Sequence, residues 1–279
     1  MKKIISIFTA GILLFTLAPS VALAARVGGS TEPVGYDISW PQCGTRLPTS
    51  QAFGIVGLNN GTAASTNPCL AQQLTWASKS VGGSSQPKVQ VYVNTANPGE
   101  VISQITTWPT NNTDKTSYTT INPYGACLGA NDDACSWQYG WNRSVEDVVD
   151  RFKPAAQQAG IDGTTSAYTW WLDVETMNTW QSTPEGQARN SKALEGMTAY
   201  FGSQGAKVGL YSTAEQWNVI NGSSISTYSN LNGLPNWRPS GTNLNNALAN
   251  CAAVSLTPGG FVSLTQYIQK NLDRNHSCI

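Results

Sequence analysis

The chain has 279 residues, with 16 Lys+Arg balanced by 16 Asp+Glu, one His and six Cys. Charged residues make up 11% of it, well below the roughly 25% usual for soluble domains. Zero net charge argues against a nucleic-acid partner, 26 Gly and 14 Pro argue against a coiled coil, and a lone His276 near the C-terminus argues against a His-rich metal site or a serine–histidine–aspartate triad. Carboxylates are left as the groups to carry any chemistry, and no cofactor or metal is expected.

In chain order, the first element has the three parts of an export signal. Lys2 and Lys3 form the charged start, Ile4 to about Ala18 is an apolar run short for a membrane span, and Ala22-Leu23-Ala24 is a small-residue cleavage site. Cleavage after residue 24 leaves about 255 residues with a formal charge of −2 and no further apolar run long enough to span a bilayer. A monomer that is secreted or associated with the cell wall is the expectation. An even cysteine count in an exported chain reads as three disulfides. Fifteen pairings are open. Proximity in sequence favours Cys43–Cys69, Cys127–Cys135 and Cys251–Cys278.

Short β-prone runs follow at Val34–Ser39, Phe53–Leu58, Val89–Thr95, Tyr168–Thr176, Lys207–Ser212 and Phe261–Ile268, with a weaker one at Leu234–Arg238. Helical patterns fall between them. Ser144 is placed to cap a helix carrying Val145, Val148, Val149 and Phe152, ended by Gly160. Pro184 suits the first turn of a second helix, with Leu194, Met197 and Phe201 on one face and Gly205 as its stop. Ala214–Ile220 and Leu244–Ala249 are shorter candidates. This alternation predicts an α/β fold with parallel strands, and the length suits one barrel domain over residues 25–279. Residues from about 99 to 141 break the rhythm. They read as a disulfide-stapled insertion over one face of the barrel, either a binding wall or a plain stapled loop.

Two segments place acids where barrel enzymes put their chemistry, at strand C-termini, and a third adds an acid near the end of the chain. In Trp170-Trp171-Leu172-Asp173-Val174-Glu175-Thr176, the period-two alternation of a strand puts Trp171, Asp173 and Glu175 on one face, aimed at the barrel mouth. Two acids side by side on a buried strand raise each other's proton affinity, as a glycosidic acid catalyst requires. In Gly35-Tyr36-Asp37-Ile38-Ser39, Asp37 and Ser39 share one face, so the first strand aims an acid toward its C-terminal end. Gln266-Tyr267 lies in the last strand and is followed by Asp273-Arg274-Asn275, where Asp273 is placed to pair with Arg274 or cap a turn. Ten Trp and ten Tyr suit stacking on sugar faces, with about half of them expected in the core.

Together these residues resemble glycoside hydrolase family 25. Asp37-Ile38-Ser39-x-x-Gln42 is similar to its opening D-V-S-x-x-Q, Leu172-Asp173-Val174-Glu175 to its L-D-x-E strand, and Gln266-Tyr267 with Asp273-x-Asn275 to its closing segments. The match is nearest to a divergent, secreted bacterial branch, through GYDISWPQCG, FGIVGLNNG, YVNTANPG, WWLDVET and VGLYST. Departures lie at Gly57-Leu58-Asn59-Asn60-Gly61, at Tyr92-Val93-Asn94-Thr95 and at Thr265.

The resemblance implies a TIM-like barrel with irregular final strands and cleavage of a β-1,4 bond in peptidoglycan or a related aminosugar polymer. It implies Glu175 as general acid, Asp173 assisting it, and Asp37 and Asp273 as supporting carboxylates. Asn94, Trp171, Tyr211, Gln266 and Tyr267 are the expected sugar contacts. The alternative is a non-catalytic wall-polysaccharide binder or envelope interaction protein on the same barrel.

Overall fold

A computed structural model describes residues 33–222 and 225–279; the export signal expected at 1–24 lies outside them. Eight strands close into a barrel in chain order: β1 Gly35–Ile38, β2 Gly54–Gly57, β3 Val89–Asn94, β4 Thr169–Asp173, β5 Lys207–Tyr211, β6 Pro235–Pro239, β7 Phe261–Gln269 and β8 Leu272–Ser277. Helices α1 Leu70–Ser78, α2 Asp133–Glu146, α3 Lys153–Ala159, α4 Pro184–Ser203, α5 Ala214–Asn221 and α6 Leu244–Asn250 lie between them. No helix among the described residues is long and apolar enough to cross a membrane.

The first seven strands pair in parallel, but β8 runs antiparallel to both β7 and β1. The final strands are irregular, as expected, because Lys270 and Asn271 link β7 to β8 directly, both with positive φ, 55° and 58°. Two such residues make a tight hairpin turn, whereas a parallel crossover needs a dozen residues or more. The hairpin brings Asp273 directly across from Asp37 on β1.

Two layers of core follow from the strand alternation. Outward-facing Ile38, Val56, Val91, Val93, Trp170, Leu172, Val174 and Leu210 pack under the helices, against Leu74, Val148, Phe152, Leu194, Met197 and Phe201 among others. Inward-facing Phe53, Ile55, Trp171, Trp237 and Leu264 fill the barrel.

The α2 region differs from its expected form. Ser144 does not cap a helix: α2 begins at Asp133, where the Asp132 side chain accepts from the Cys135 amide, and one wide turn at Asp147–Phe152 joins it to α3. The irregular insertion therefore ends before residue 133. Helix α2 buries every residue from Ala134 to Trp141. It is enclosed by α4 and by the insertion. Helices α2 and α4 cross at glycines: a β-carbon on Gly140 would lie 1.8 Å from the Ala193 carbonyl oxygen, and one on Gly196 would lie 2.0 Å from that of Trp137.

Disulfides join Cys43 to Cys69, Cys127 to Cys135 and Cys251 to Cys278. Cys127 and Cys135 pack with Trp108 and Tyr139 beneath the insertion. The insertion runs down the outside of α2 and α4, where Asn122 bonds the Ala134 carbonyl, the Tyr124 hydroxyl meets Glu195 and Lys115 pairs with Asp150.

Candidate active site

The strand ends open into a cleft of about 280 Å³, lined by Asp37, Tyr92, Asp173, Glu175, Tyr211, Trp237, Gln266, Ile268 and Asp273. Four of the nine side chains are carboxylates and none is cationic. The sequence alternation delivers the acids: Asp37 is the penultimate residue of β1, β4 ends on Asp173 with Glu175 two residues on, and Asp273 comes from the hairpin strand β8.

Each acid is held differently. Asp37 is buried and accepts from Asn275 Nδ2 at 2.7 Å and Gln266 Nε2 at 3.0 Å. Its carboxyl is raised from 3.8 to about 7, first by burial and then by the facing charge of Asp273, against the opposing effect of those two bonds. Asp173 is buried; Asn94 Nδ2 donates to its Oδ2 at 2.7 Å, and Oδ1 takes no amide or hydroxyl donor. Burial, then the charges of Glu175 and Asp37, push Asp173 well above the usual carboxylate range. The neighbouring Glu175 carboxyl raises Asp173 further, while Asp173 lowers Glu175. Half-buried Glu175 is itself raised by burial, partly offset by bonds with Gln216 and Asp173. Burial raises Asp273.

The walls are fixed by the same network. Tyr211 Oη donates to Gln266 Oε1 at 2.8 Å, and Trp237 Nε1 donates to Asn275 Oδ1 at 2.7 Å. A continuous chain therefore runs Tyr211–Gln266–Asp37–Asn275–Trp237. The Tyr211 and Tyr92 phenols are driven up by burial and then by the nearby acids, so both remain protonated donors. Trp237 packs against Tyr211 at a centroid distance of 4.5 Å and edge-on to Tyr92 at 6.2 Å.

Of the expected sugar contacts, Tyr211 and Gln266 line the cleft, and three others lie elsewhere. Trp171 is 1% exposed, one residue pair deeper in the barrel, with its Nε1 bonded to Gln90 and its ring where a β-carbon on Gly209 would sit 2.2 Å away. Tyr267 is buried on the other face of β7, because Gln266 and Ile268 occupy the cleft side. Asn94 stands behind Asp173 rather than in the wall. Gln42 of the opening motif is a turn former: its side chain accepts from the Ser39 amide.

Tyr92, Trp237 and Ile268 line the cleft without having been singled out. Tyr92 was within reach of the alternation argument, since it shares a strand face with Asn94. Of ten Trp, seven are buried, and only Trp237 reaches the cleft, so the aromatic surplus serves the core more than the site.

No three carboxylates of the cleft gather their oxygens within 4.8 Å of one another, so they do not form a shell around one ion. Cys251, His276 and Cys278 do come that close, but both sulfurs are consumed in a disulfide.

A family model described as Lysozyme-like protein 1 matches residues 143–242, which include Asp173, Glu175, Tyr211 and Trp237. The search of curated proteins finds no match. Among solved structures, the modular Cpl-1 endolysin, crystallised with a peptidoglycan analogue, is similar at 14% identity and a TM-score of 0.47, over 88% of this chain and 54% of that one. The chain thus spans about half the length of that endolysin.

Proposed function

We propose that the protein is an exported glycosidase that hydrolyses a β-1,4 bond in peptidoglycan or a related aminosugar polymer. The observation that carries this reading is the convergence of Asp37, Asp173, Glu175 and Asp273, with no cation, in one aromatic-walled cleft at the strand C-termini. Burial raises the proton affinity of all four acids, the direction an acid catalyst for glycoside cleavage requires. The lysozyme-like match over residues 143–242 supports the same class of chemistry.

In this mechanism Glu175, at the open edge, protonates the leaving glycosidic oxygen. A proton held by Asp173 passes to Glu175 as the substrate enters. Asp173 becomes anionic and stabilises the positive charge that develops when the substrate's own acetamido oxygen bonds to the anomeric carbon. Water then attacks that carbon, displacing the acetamido oxygen and giving its proton to Glu175, which frees the second sugar end. Asn94 holds Asp173 in place, and Asp37 keeps Gln266 and Tyr211 in register along the wall.

The test is incubation of the mature protein with purified peptidoglycan, reduction of new ends, and identification of the exposed sugar. Reduced muramic acid or glucosamine ends that vanish in Glu175→Gln support the reading. Binding to the polymer with no new ends from it or from a chitin-like substrate selects the non-catalytic alternative.

A further inference from the structure

A cavity of about 460 Å³ opens on the flank of the barrel, where the insertion crosses α2, α3 and α4. It is remote from the cleft by topology. Ser203 and Gln204 close α4 just before β5 begins at Lys207, so this cavity sits toward the strand starts, whereas the cleft lies at the strand ends.

The insertion builds the cavity deliberately. Asp114 accepts from the amides of Thr116 and Tyr118, the Thr116 hydroxyl and Trp141 Nε1. This gathers the loop, with Ser117 at φ 69°, and lays Tyr118 flat on Trp141 at 6.0 Å and 17°. The other face of Trp141 is taken by Trp137 at 5.4 Å. Tyr118 remains 54% exposed, so its outer face is open.

Tyr200 lines the same cavity edge-on to Trp141. It is more than nine-tenths buried, and its hydroxyl makes no hydrogen bond among the described residues. Burial raises its phenol to about 12, which leaves it a donor with no acceptor. Lys153, on the rim, makes no ion pair among the described residues, and the cavity's one acid, Asp114, has its oxygens engaged within the loop.

We infer that this flank cavity binds an acidic saccharide: a pyranose stacked on the outer face of Tyr118, an oxygen of it accepting from Tyr200 Oη, and a carboxylate substituent paired with Lys153. An open aromatic face, an unpartnered hydroxyl donor facing the cavity and an unpaired cation at one mouth are what such a unit needs, and the volume is in the range of small-ligand sites. Identifying the natural occupant as a muramyl unit of wall glycan rests on the reading of the cleft; the acidic-sugar chemistry does not.

The experiment is calorimetric titration of the full exported chain carrying Glu175→Gln, which blocks turnover, with a muramyl-containing tetrasaccharide and with neutral chitotetraose. The flank site is expected as a binding event that falls at least about tenfold in Tyr118→Ala and several-fold in Tyr200→Phe. Lys153→Met is expected to remove its preference for the acidic sugar. Melting curves check that each variant is folded. If the cleft reading alone is wrong, one event remains in the parent and disappears in Tyr118→Ala. The flank site is overturned if titrations of folded Tyr118→Ala and Tyr200→Phe match the parent, or if no variant binds either sugar. Equal affinity for the two sugars at the flank overturns the carboxylate contact.

Discussion

Asp114 on the flank and Asp173 in the cleft are both buried aspartates beside aromatic rings, yet their proton affinities move in opposite directions. Burial pushes Asp114 upward, but bonds from Thr116, Trp141 and Tyr118 outweigh it, and its carboxyl falls below the usual range. Asp173 has one amide donor and a second carboxylate as its neighbour, and it rises well above that range. Depth and hydrogen-bond supply together separate them: Asp173 lies deeper and has fewer donors, whereas Asp114 is ringed by them. A well-supplied acid organises a loop and stays ionised, whereas a starved acid holds a proton that chemistry can use.

The sharpest way to break this contrast is at the starved acids. Glu175→Gln is expected to lower glycan cleavage by about a thousandfold with an unchanged melting curve, since an essential acid or base contributes roughly 10²–10⁴-fold. Residual cleavage near the parent rate removes Glu175 from the mechanism. The flank depends instead on the helix crossing beneath it. Gly140→Ala places a β-carbon against the Ala193 carbonyl and is expected to cost about 2–3 kcal/mol, read as a lower urea midpoint.

A matched pair of substitutions tests the opposed titrations directly. The folded state of the parent binds more protons at Asp37 than the unfolded state between its ordinary 3.8 and about 7, so that group's contribution to stability declines as pH rises through this window. Asp37→Asn is therefore expected to gain stability relative to the parent as pH is raised from 4 to 8. Asp114 contributes stability that is complete above its unfolded value and is lost as pH falls through its lower folded value. Asp114→Asn is expected to be destabilised by about 1–3 kcal/mol at pH 7, with the deficit shrinking toward pH 3. Thermal melts across pH check both, and slopes of the same sign contradict the contrast. The smallest effect is expected from Tyr211→Phe, which removes only the bond to Gln266 and should lower kcat/KM several-fold.

Much of the cleft is legible from strand alternation. Trp170, Leu172 and Val174 face the helices, while Trp171, Asp173 and Glu175 face inward, as period two requires. Alternation gives the face but not the depth. Trp171 and Glu175 share a side, yet one fills the barrel and the other lies at its mouth. Helix α1 carries Leu70, Gln73, Leu74 and Ala77 at helical spacing and was open to the same reading, though no helix was expected there. Helix α2 was hidden because residues 133–141 fall within the stretch read as one irregular insertion.

The sequence alone determined the class of fold and the supply of acids, because both rest on local patterns: alternation within strands, caps and turns at their ends, and a composition nearly without histidine. Only the tertiary structure decided that a two-residue hairpin sets Asp273 against Asp37, that Asn94 serves Asp173 from behind, and that the insertion shapes a flank cavity instead of covering the cleft. Those outcomes depend on pairings between residues far apart in the chain, and local periodicity carries no information about which distant partners will share one space.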